Sequence, residues 1–188
     1  MSRIGRIYHS LRLCLIRSGL KRGEYLKRKK IFNYTGENVM IMPRKVPLYP
    51  ELIKLHDNVR IASKVSFVTH DGVHRMLNRK YNTTKFSEKI GCIEIEDNVF
   101  VGSDSIIMYD VKIGANTVIA AGSIVTKDIP EDSIVAGVPA KVIGSLSDYT
   151  DKKLSQQDNY PKELKPRKQK VKGELVDIMW KKFNDDRV

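Results

Sequence analysis

Branched apolar residues recur every six positions in the middle of this 188-residue chain. Six is neither the helical period of about 3.6 residues nor the strand period of about two. A chain that turns a corner every six residues closes three flat faces per coil, and stacked coils bury one aliphatic side chain per turn. A small or β-branched residue four positions later fits the crowded corner. The apolar positions are Ile95, Val101, Ile107, Ile113, Ile119 and Val125, and the corner positions are Val99, Ser105, Val111, Thr117 and Ser123.

The repeat predicts a mainly β fold, a parallel β-prism over residues 38–144. The same spacing appears earlier, at Leu55, Ile61 and Phe67. The 28 residues from Phe67 to Ile95 are not a multiple of six, so a segment is inserted there. The polar stretch 73–90 is the predicted excursion loop, and loops on a rigid scaffold commonly carry function.

The first 37 residues are predicted to form a basic helical region. An apolar stripe at helical spacing runs along its start, and the arginines lie largely off that stripe. Gly19 and Gly23 are expected to break or end the first helix, with a second helical stretch over 24–30. We favour packing of the stripe on the open end of the prism over contact with an anionic membrane surface. The stripe consists of Ile4, Ile7, Tyr8, Leu11, Cys14 and Leu15.

The end of the chain, 145–188, is predicted to be a basic tail. It contains the run KPRKQKVK at 165–172, and this polar, basic composition predicts an exposed linker or tail. Apolar residues at helical spacing then predict a short helix within 173–183. Just before the tail, the segment SIVAGVPAKVIG at 133–144 is expected to close a final coil.

The formal net charge of +12 is unevenly placed. Residues 1–30 hold ten Lys and Arg against one acid, whereas residues 31–147 hold thirteen of each. A neutral core argues against a nucleic-acid partner, which would require a basic stripe on the core itself. The two distant cysteines and the absence of an apolar run of about 18 residues fit a cytoplasmic protein, peripheral at most to the inner membrane face.

Three segments resemble the hexapeptide-repeat acyltransferases, and most closely the branch of galactoside, maltose and capsular-polysaccharide O-acetyltransferases. They are FVTHDGVHRM (67–76), IEIEDNVFVGSDSII (93–107) and VTKDIPEDSIVAGVPAKVIG (125–144), and the likeness covers about half the chain. The resemblance implies a left-handed parallel β-helix, an exception to the usual right-handed crossover. It also implies a homotrimer with active sites between subunits, acetyl-CoA as co-substrate and no metal.

The resemblance implies that His70 is the general base. A sugar hydroxyl is a poor nucleophile near neutrality, and an imidazole removes its proton as it attacks the thioester carbonyl carbon of acetyl-CoA. Transfer then passes through a tetrahedral oxyanion that needs a hydrogen-bond donor. The resemblance places this donor around Ser103.

The resemblance also implies the cofactor positions. Ala121 and Gly122 leave room for the pantetheine arm, and Lys127 and Lys141 neutralise the phosphates as point charges. A plainer explanation stands beside this one, because small residues also suit a tight corner and exposed lysines are usually solvated. The implied cofactor-binding residues are Ser103, Ala121, Gly122, Thr126, Lys127 and Lys141.

Three residues are weaker candidates for acceptor binding. Asp71 either orients an imidazole, contacts the acceptor or forms a turn before Gly72. His74 is either an acceptor contact or a plain loop residue. Phe100 supplies a flat apolar wall where close relatives commonly carry tryptophan. We interpret the remaining histidines, and Cys92, as structural.

The function predicted from these residues is acetyl-CoA-dependent O-acetylation of a carbohydrate, such as a surface-polysaccharide unit or its precursor. Two other enzyme activities are alternatives: a xenobiotic acetyltransferase acting on chloramphenicol or streptogramins, and an amino-sugar N-acetyltransferase. A non-catalytic β-helical scaffold is the alternative outside enzymes. Carbonic anhydrase activity is disfavoured, because the four histidines are not arranged as metal ligands on adjacent coils.

Overall fold

Three sheets form the walls of a β-prism. The computed structural model describes residues 1–155, 161–166 and 170–185. The described residues form two compact units, one within 1–147 and one within 148–185. Sheet A contains β1 (Tyr34–Thr35), β3 (Ile53–Leu55), β6 (Ile93–Ile95) and β9 (Val111–Ile113). Sheet B contains β2 (Met40–Ile41), β4 (Arg60–Ile61), β7 (Phe100–Val101), β10 (Val118–Ile119), β12 (Ser133–Gly137) and β13 (Ala140–Ser145), and sheet C contains β5 (Ser66–Val68), β8 (Ile106–Met108) and β11 (Ile124–Val125).

The six-residue repeat supplies the buried axis of the prism, which confirms the predicted core. All six apolar positions from Ile95 to Val125 are fully buried, and the five corner positions are at most 3% exposed. The corner hydroxyls are satisfied by backbone carbonyls: Ser105 and Ser123 both donate to the carbonyl oxygen of Ala120. Burial therefore leaves these polar groups paired, as a dry interior requires.

An asparagine ladder holds the corner between sheets A and B. Each of the first three side-chain amides donates to the oxygen of the next one along the axis, over 2.9 to 3.1 Å. All four residues have positive φ, a conformation that asparagine tolerates better than most residues. The ladder consists of Asn38, Asn58, Asn98 and Asn116.

A regular coil contains 18 residues, as the pairing of Phe100 with Val118 shows. Arg60 pairs with Phe100 across 40 residues, so that coil carries 22 extra residues. They include helix α3 (Val73–Lys80), where the sequence predicted only a loop. The backbone amide of Asp71 donates to the carbonyl oxygen of Lys89 at 3.0 Å and closes the base of this excursion.

Two helices, α1 (Arg3–Leu15) and α2 (Gly19–Arg28), precede the prism. The prediction that the apolar stripe of α1 packs on the prism is wrong: its five large apolar side chains are 53–80% exposed. The opposite face packs inward instead, through Leu13, which is 2% exposed, and through Ser10, whose hydroxyl accepts from the backbone amide of Val46.

Helix α1 ends at Leu15, Gly19 begins α2 and Gly23 lies inside α2, so the prediction that these glycines end the first helix is also wrong. A Cβ at Gly23 would lie 2.0 Å from the carbonyl oxygen of Val39. Glycine therefore lets the helix approach the first coil closely. In the sequence alone, a glycine that serves such an approach looks the same as one that ends a helix.

The segment 133–144 differs from the expected closing coil. Strand β12 joins β10 in parallel, and β13 then returns antiparallel to β12. Gly137, with a φ of 98°, allows the chain to reverse here. The repeat thus ends in a hairpin.

The second unit contains the end of α4 (Leu146–Ser155), a 3-10 helix (Lys162–Leu164) and α5 (Gly173–Asp185). Helix α5 confirms the predicted terminal helix, and Leu175 on it is 2% exposed. Residues 167–169 of the basic run lie outside the described residues. None of the described helices combines the length and the apolar character needed to cross a membrane.

Candidate active site

His70 lies where strand β5 leads into the excursion. The preceding Thr69 is fully buried, and its hydroxyl donates to the carbonyl oxygen of Leu48 at 2.6 Å. His70 itself is half-buried and bridges antiparallel to Ile90 on the returning chain. The rigid sheet edge and the base of the excursion thus fix the backbone of His70 from both sides.

The imidazole of His70 packs against an aromatic ring rather than a charged partner. The ring of Tyr49 stands perpendicular to it, with centroids 5.7 Å apart. The Tyr49 hydroxyl donates to Glu88 Oε2 at 2.8 Å, and this bond, with burial, raises the pKa of Tyr49. His70 Nδ1 is buried and has no hydrogen-bond partner among the described residues. Sequence reasoning missed Tyr49 and Glu88, which no local pattern marks.

Asp71 and His74 lie in the same excursion as His70. The Asp71 carboxylate accepts from the backbone amide of Val73 at 3.2 Å and from the Tyr109 hydroxyl at 3.2 Å. These bonds fit a turn-forming role. His74 lies in the first turn of α3, half-buried, and its Nδ1 is buried without a partner in the described part of the chain.

Ser103, Ala121 and Gly122 share the corner between sheets B and C. The backbone amide of Gly122 donates to the carbonyl oxygen of Ser103 at 2.8 Å. Lys64 and Asp104 occupy the position of Gly122 on other coils, with φ of 59° and 61° against 72° for the glycine. Because non-glycine residues adopt this conformation here, the corner does not require glycine. The missing side chain at Gly122 instead leaves an open ledge.

The remaining predicted residues lie on other parts of the prism. Thr126 and Lys127 follow β11 at the next corner, both exposed. Lys141 is exposed on β13, and Phe100 is 43% exposed on β7 of sheet B. The structure thus groups His70 with Asp71 and His74, and Ser103 with Ala121 and Gly122. It does not bring the two groups together on one corner.

A cavity of about 860 Å³ beside His70 was not foreseen from the sequence. It lies between α1, α2, the irregular segment 42–48 and strand β5, which is the edge of sheet C. None of the described residues that line it is Asp or Glu. Its basic residues are Arg6, Arg22, Arg44, Lys45 and Lys64.

Arg22 differs from the other basic residues of the cavity because it is 1% exposed. Its guanidinium donates to four backbone carbonyl oxygens, those of Ile16, Arg17, Ile41 and Met42. Burial, followed by the nearby positive charge of Arg44, lowers the pKa of Arg22. Arg22 is therefore a structural cation that fastens α2 to the first coil.

The other histidines are engaged elsewhere. His9 Nδ1 lies 2.7 Å from the Tyr25 hydroxyl, and burial, with the charge of Lys29, lowers the pKa of His9. His56 Nε2 lies 3.0 Å from Glu94 Oε1. Within the described ranges, no group of three or more His, Cys, Asp and Glu side chains is arranged to hold a metal ion.

Known proteins are similar to this chain in sequence and in fold. The model of the bacterial transferase hexapeptide family (six repeats) matches residues 93–127. Protein CapG of Staphylococcus aureus is 39% identical over 138 residues, which cover 73% of this chain and 74% of that protein. Galactoside O-acetyltransferase of Escherichia coli (strain K12) is 43% identical over 97 residues, but these cover 51% of this chain and only 45% of that enzyme. A solved galactoside acetyltransferase in complex with coenzyme A has a TM-score of 0.59 at 27% identity, covering 85% of this chain and 86% of that one.

Proposed function

Because this chain belongs to the bacterial hexapeptide-repeat transferases, we propose that it transfers acetyl from acetyl-CoA to a carbohydrate hydroxyl. The observation that carries the proposal is the half-buried imidazole of His70 at the end of β5, beside a cavity large enough for a sugar. The similarity to a galactoside O-acetyltransferase, and to one solved with coenzyme A, supports the acceptor class and the donor. The left-handed sense of the coils and a surface-polysaccharide acceptor are part of the same proposal.

In this reaction His70 acts as the general base. As the acceptor oxygen attacks the thioester carbonyl carbon, the imidazole takes its proton, and the C–S bond then breaks to release the CoA thiolate. His70 then passes this proton to the thiolate, so the products are the acetyl ester and the CoA thiol, and the imidazole returns to its neutral form. The perpendicular Tyr49 ring supports the role, since its contact restricts the orientation of the imidazole.

The ledge at Ser103, Ala121 and Gly122 is the proposed place for the pantetheine arm and the oxyanion. The proposal is supported by the open space at Gly122, where no neighbouring atom lies within 4 Å of the position that a Cβ would take. Close packing therefore does not require a glycine at this position. Thr126 is proposed to line the same arm. Lys127 and Lys141 are proposed to hold the CoA phosphates, and neither has an ion-pair partner among the described residues.

We propose a homotrimer in which neighbouring subunits complete each site. His70 and Ser103 lie at the two ends of sheet C, whose strands have three residues in β5 and β8. Such strands span roughly 10 Å. General base and oxyanion donor must both lie within about 3 Å of the reacting group. A second copy that brings its Ser103 corner to His70 satisfies this requirement.

We further propose a cytoplasmic enzyme whose helix α1 contacts an anionic membrane surface. The exposed stripe of α1 supports this, because Arg3 and Arg12 flank it and the first 30 residues contain a single acid. An apolar face bordered by arginines is the arrangement of interfacial helices. Such contact would bring the enzyme to a lipid-linked acceptor.

The test is acetyl-CoA-dependent thiol release with a panel of sugars, amino-sugar nucleotides, chloramphenicol and streptogramins. We expect a sugar to be acetylated on oxygen, and His70→Asn to lower kcat about 10²- to 10⁴-fold, because only the base is removed. CoA binding, measured by calorimetry, should be unchanged. His56→Asn is the matched control and should retain activity. Full activity in His70→Asn, or turnover of an antibiotic alone, would refute the proposal.

A further inference from the structure

The cavity beside His70 carries more positive charge than its described hydrogen bonds and ion pairs account for. Besides Arg22, which binds backbone carbonyls, four Lys and Arg residues line the cavity. One of them, Lys64, has its Nζ 3.7 Å from Asp104 Oδ1. Arg44 and Lys45 are exposed, and neither has an ion-pair partner in the described part of the chain. The Nε of Arg6 is buried and has no hydrogen-bond partner among the described residues.

A buried guanidinium nitrogen without a partner is costly unless a ligand supplies the missing acceptor. Arg6 lies on the inward face of α1, and Arg44 and Lys45 lie on the irregular segment that replaces a sheet C strand in the first coil. Phe32 and Phe67, whose rings meet edge to face at 6.4 Å, give the same cavity an apolar wall. The cavity therefore combines an apolar surface for a ring with free cations and no described acid.

Resting on the proposed acetyl transfer, we propose that the acceptor sugar is anionic and that Arg6, Arg44 and Lys45 bind its carboxylate or phosphate in this cavity. Arginine is suited to both groups, because its fork of N–H donors matches two oxygens of either anion. The anchored sugar then presents a hydroxyl to His70, which lines the same cavity.

The CoA phosphates are the competing source of negative charge for these residues. The residues proposed for CoA lie on β13 and at the corners after β7, β10 and β11, whereas the cavity lies beside β5, at the edge of sheet C opposite β11. The cations of the cavity are therefore assigned to the acceptor, and Lys127 and Lys141 to the donor.

Steady-state kinetics with matched sugar pairs test this assignment. Methyl β-glucuronide against methyl β-glucoside isolates a carboxylate, and N-acetylglucosamine 1-phosphate against N-acetylglucosamine isolates a phosphate. We expect one charged sugar to exceed its neutral partner at least about tenfold in kcat/KM, since charge-assisted hydrogen bonds are lost in the neutral one. The pair that shows the preference identifies the anion.

The double variant Arg44→Gln/Lys45→Gln should raise KM for the charged sugar about tenfold or more and leave KM for acetyl-CoA unchanged. Lys29→Gln/Lys30→Gln removes the same charge from exposed residues outside the cavity and should change neither constant. Thermal unfolding of both variants should match the wild type, because the altered side chains are exposed.

Three results would overturn the assignment: equal use of charged and neutral sugars, an unchanged preference in the double variant, or a rise in KM for acetyl-CoA alone. Acetylation of neutral sugars would in that case leave the proposed acetyl transfer intact. Failure with every sugar, together with absent CoA binding by calorimetry, would remove the acetyl transfer as well.

Discussion

The prism axis and helix α1 both carry a regular apolar pattern, yet only the axis is buried. Ile107, on the axis, has no exposed surface, whereas Ile4, on the stripe of α1, is 80% exposed. An apolar period shows which side chains share a face. It does not show what covers that face, since coverage depends on neighbours far away in the chain.

The two regions also differ in how far polar contacts stabilise them. The axis is covered by the coils above and below it, so aliphatic burial and close packing stabilise it. The N-terminal region buries Leu13 and Leu26 in the same core, but polar contacts attach it as well. Arg22 donates to backbone carbonyls, Ser10 accepts from Val46, and the amino terminus pairs with Glu51. A dry core and a polar attachment should respond differently to substitution.

The same substitution at two isoleucines gives the largest contrast. We expect Ile107→Ala to lower the free energy of unfolding by about 2–5 kcal/mol, because it leaves a cavity between stacked coils. Ile4→Ala should change it by less than about 0.5 kcal/mol, because that side chain is already in solvent. Urea unfolding followed by circular dichroism measures both. Equal losses at the two positions would show that α1 is covered in solution.

The axis was predictable from sequence because each coil repeats the same local requirement. One aliphatic residue every six positions and a small residue at the corner recur often enough to be read without any structure. The position of His70 at the base of an excursion followed from the residue count between Phe67 and Ile95, and from the resemblance around the motif that contains it.

The cavity and the N-terminal packing were not predictable in the same way. Arg6, Arg44 and Lys45 come from two distant segments that meet only in the folded chain. Gly23 looks like a helix break, but it serves a close approach to Val39. Single features of this kind do not repeat, so no period marks them.

The second prediction concerns the polar attachment. We expect Arg22→Met to lower the free energy of unfolding by about 2 kcal/mol, because several buried carbonyls lose a charged donor while methionine fills part of the space. Native-state hydrogen exchange should show the loss first in α2, with β8 and β10 still protected. Arg28→Met, at an exposed position of the same helix, is the control. Uniform loss of protection along the chain would mean that Arg22 stabilises the prism itself.

The stripe of α1 should have the smallest effect on stability and a clear effect on binding. The triple variant Ile4→Gln/Leu11→Gln/Leu15→Gln should unfold within about 0.5 kcal/mol of the wild type, because exposed glutamine keeps the helix propensity. It should lose sedimentation with vesicles of phosphatidylglycerol that retain the wild type, since apolar insertion and arginine attraction act together. Neutral phosphatidylcholine vesicles, or added salt, should weaken wild-type binding. Dissociation of an oligomer by the triple variant, without any vesicle binding of the wild type, would assign the stripe to a subunit interface. The prism axis would then be an apolar face covered by the same chain, and the stripe of α1 an apolar face covered by another copy of the chain.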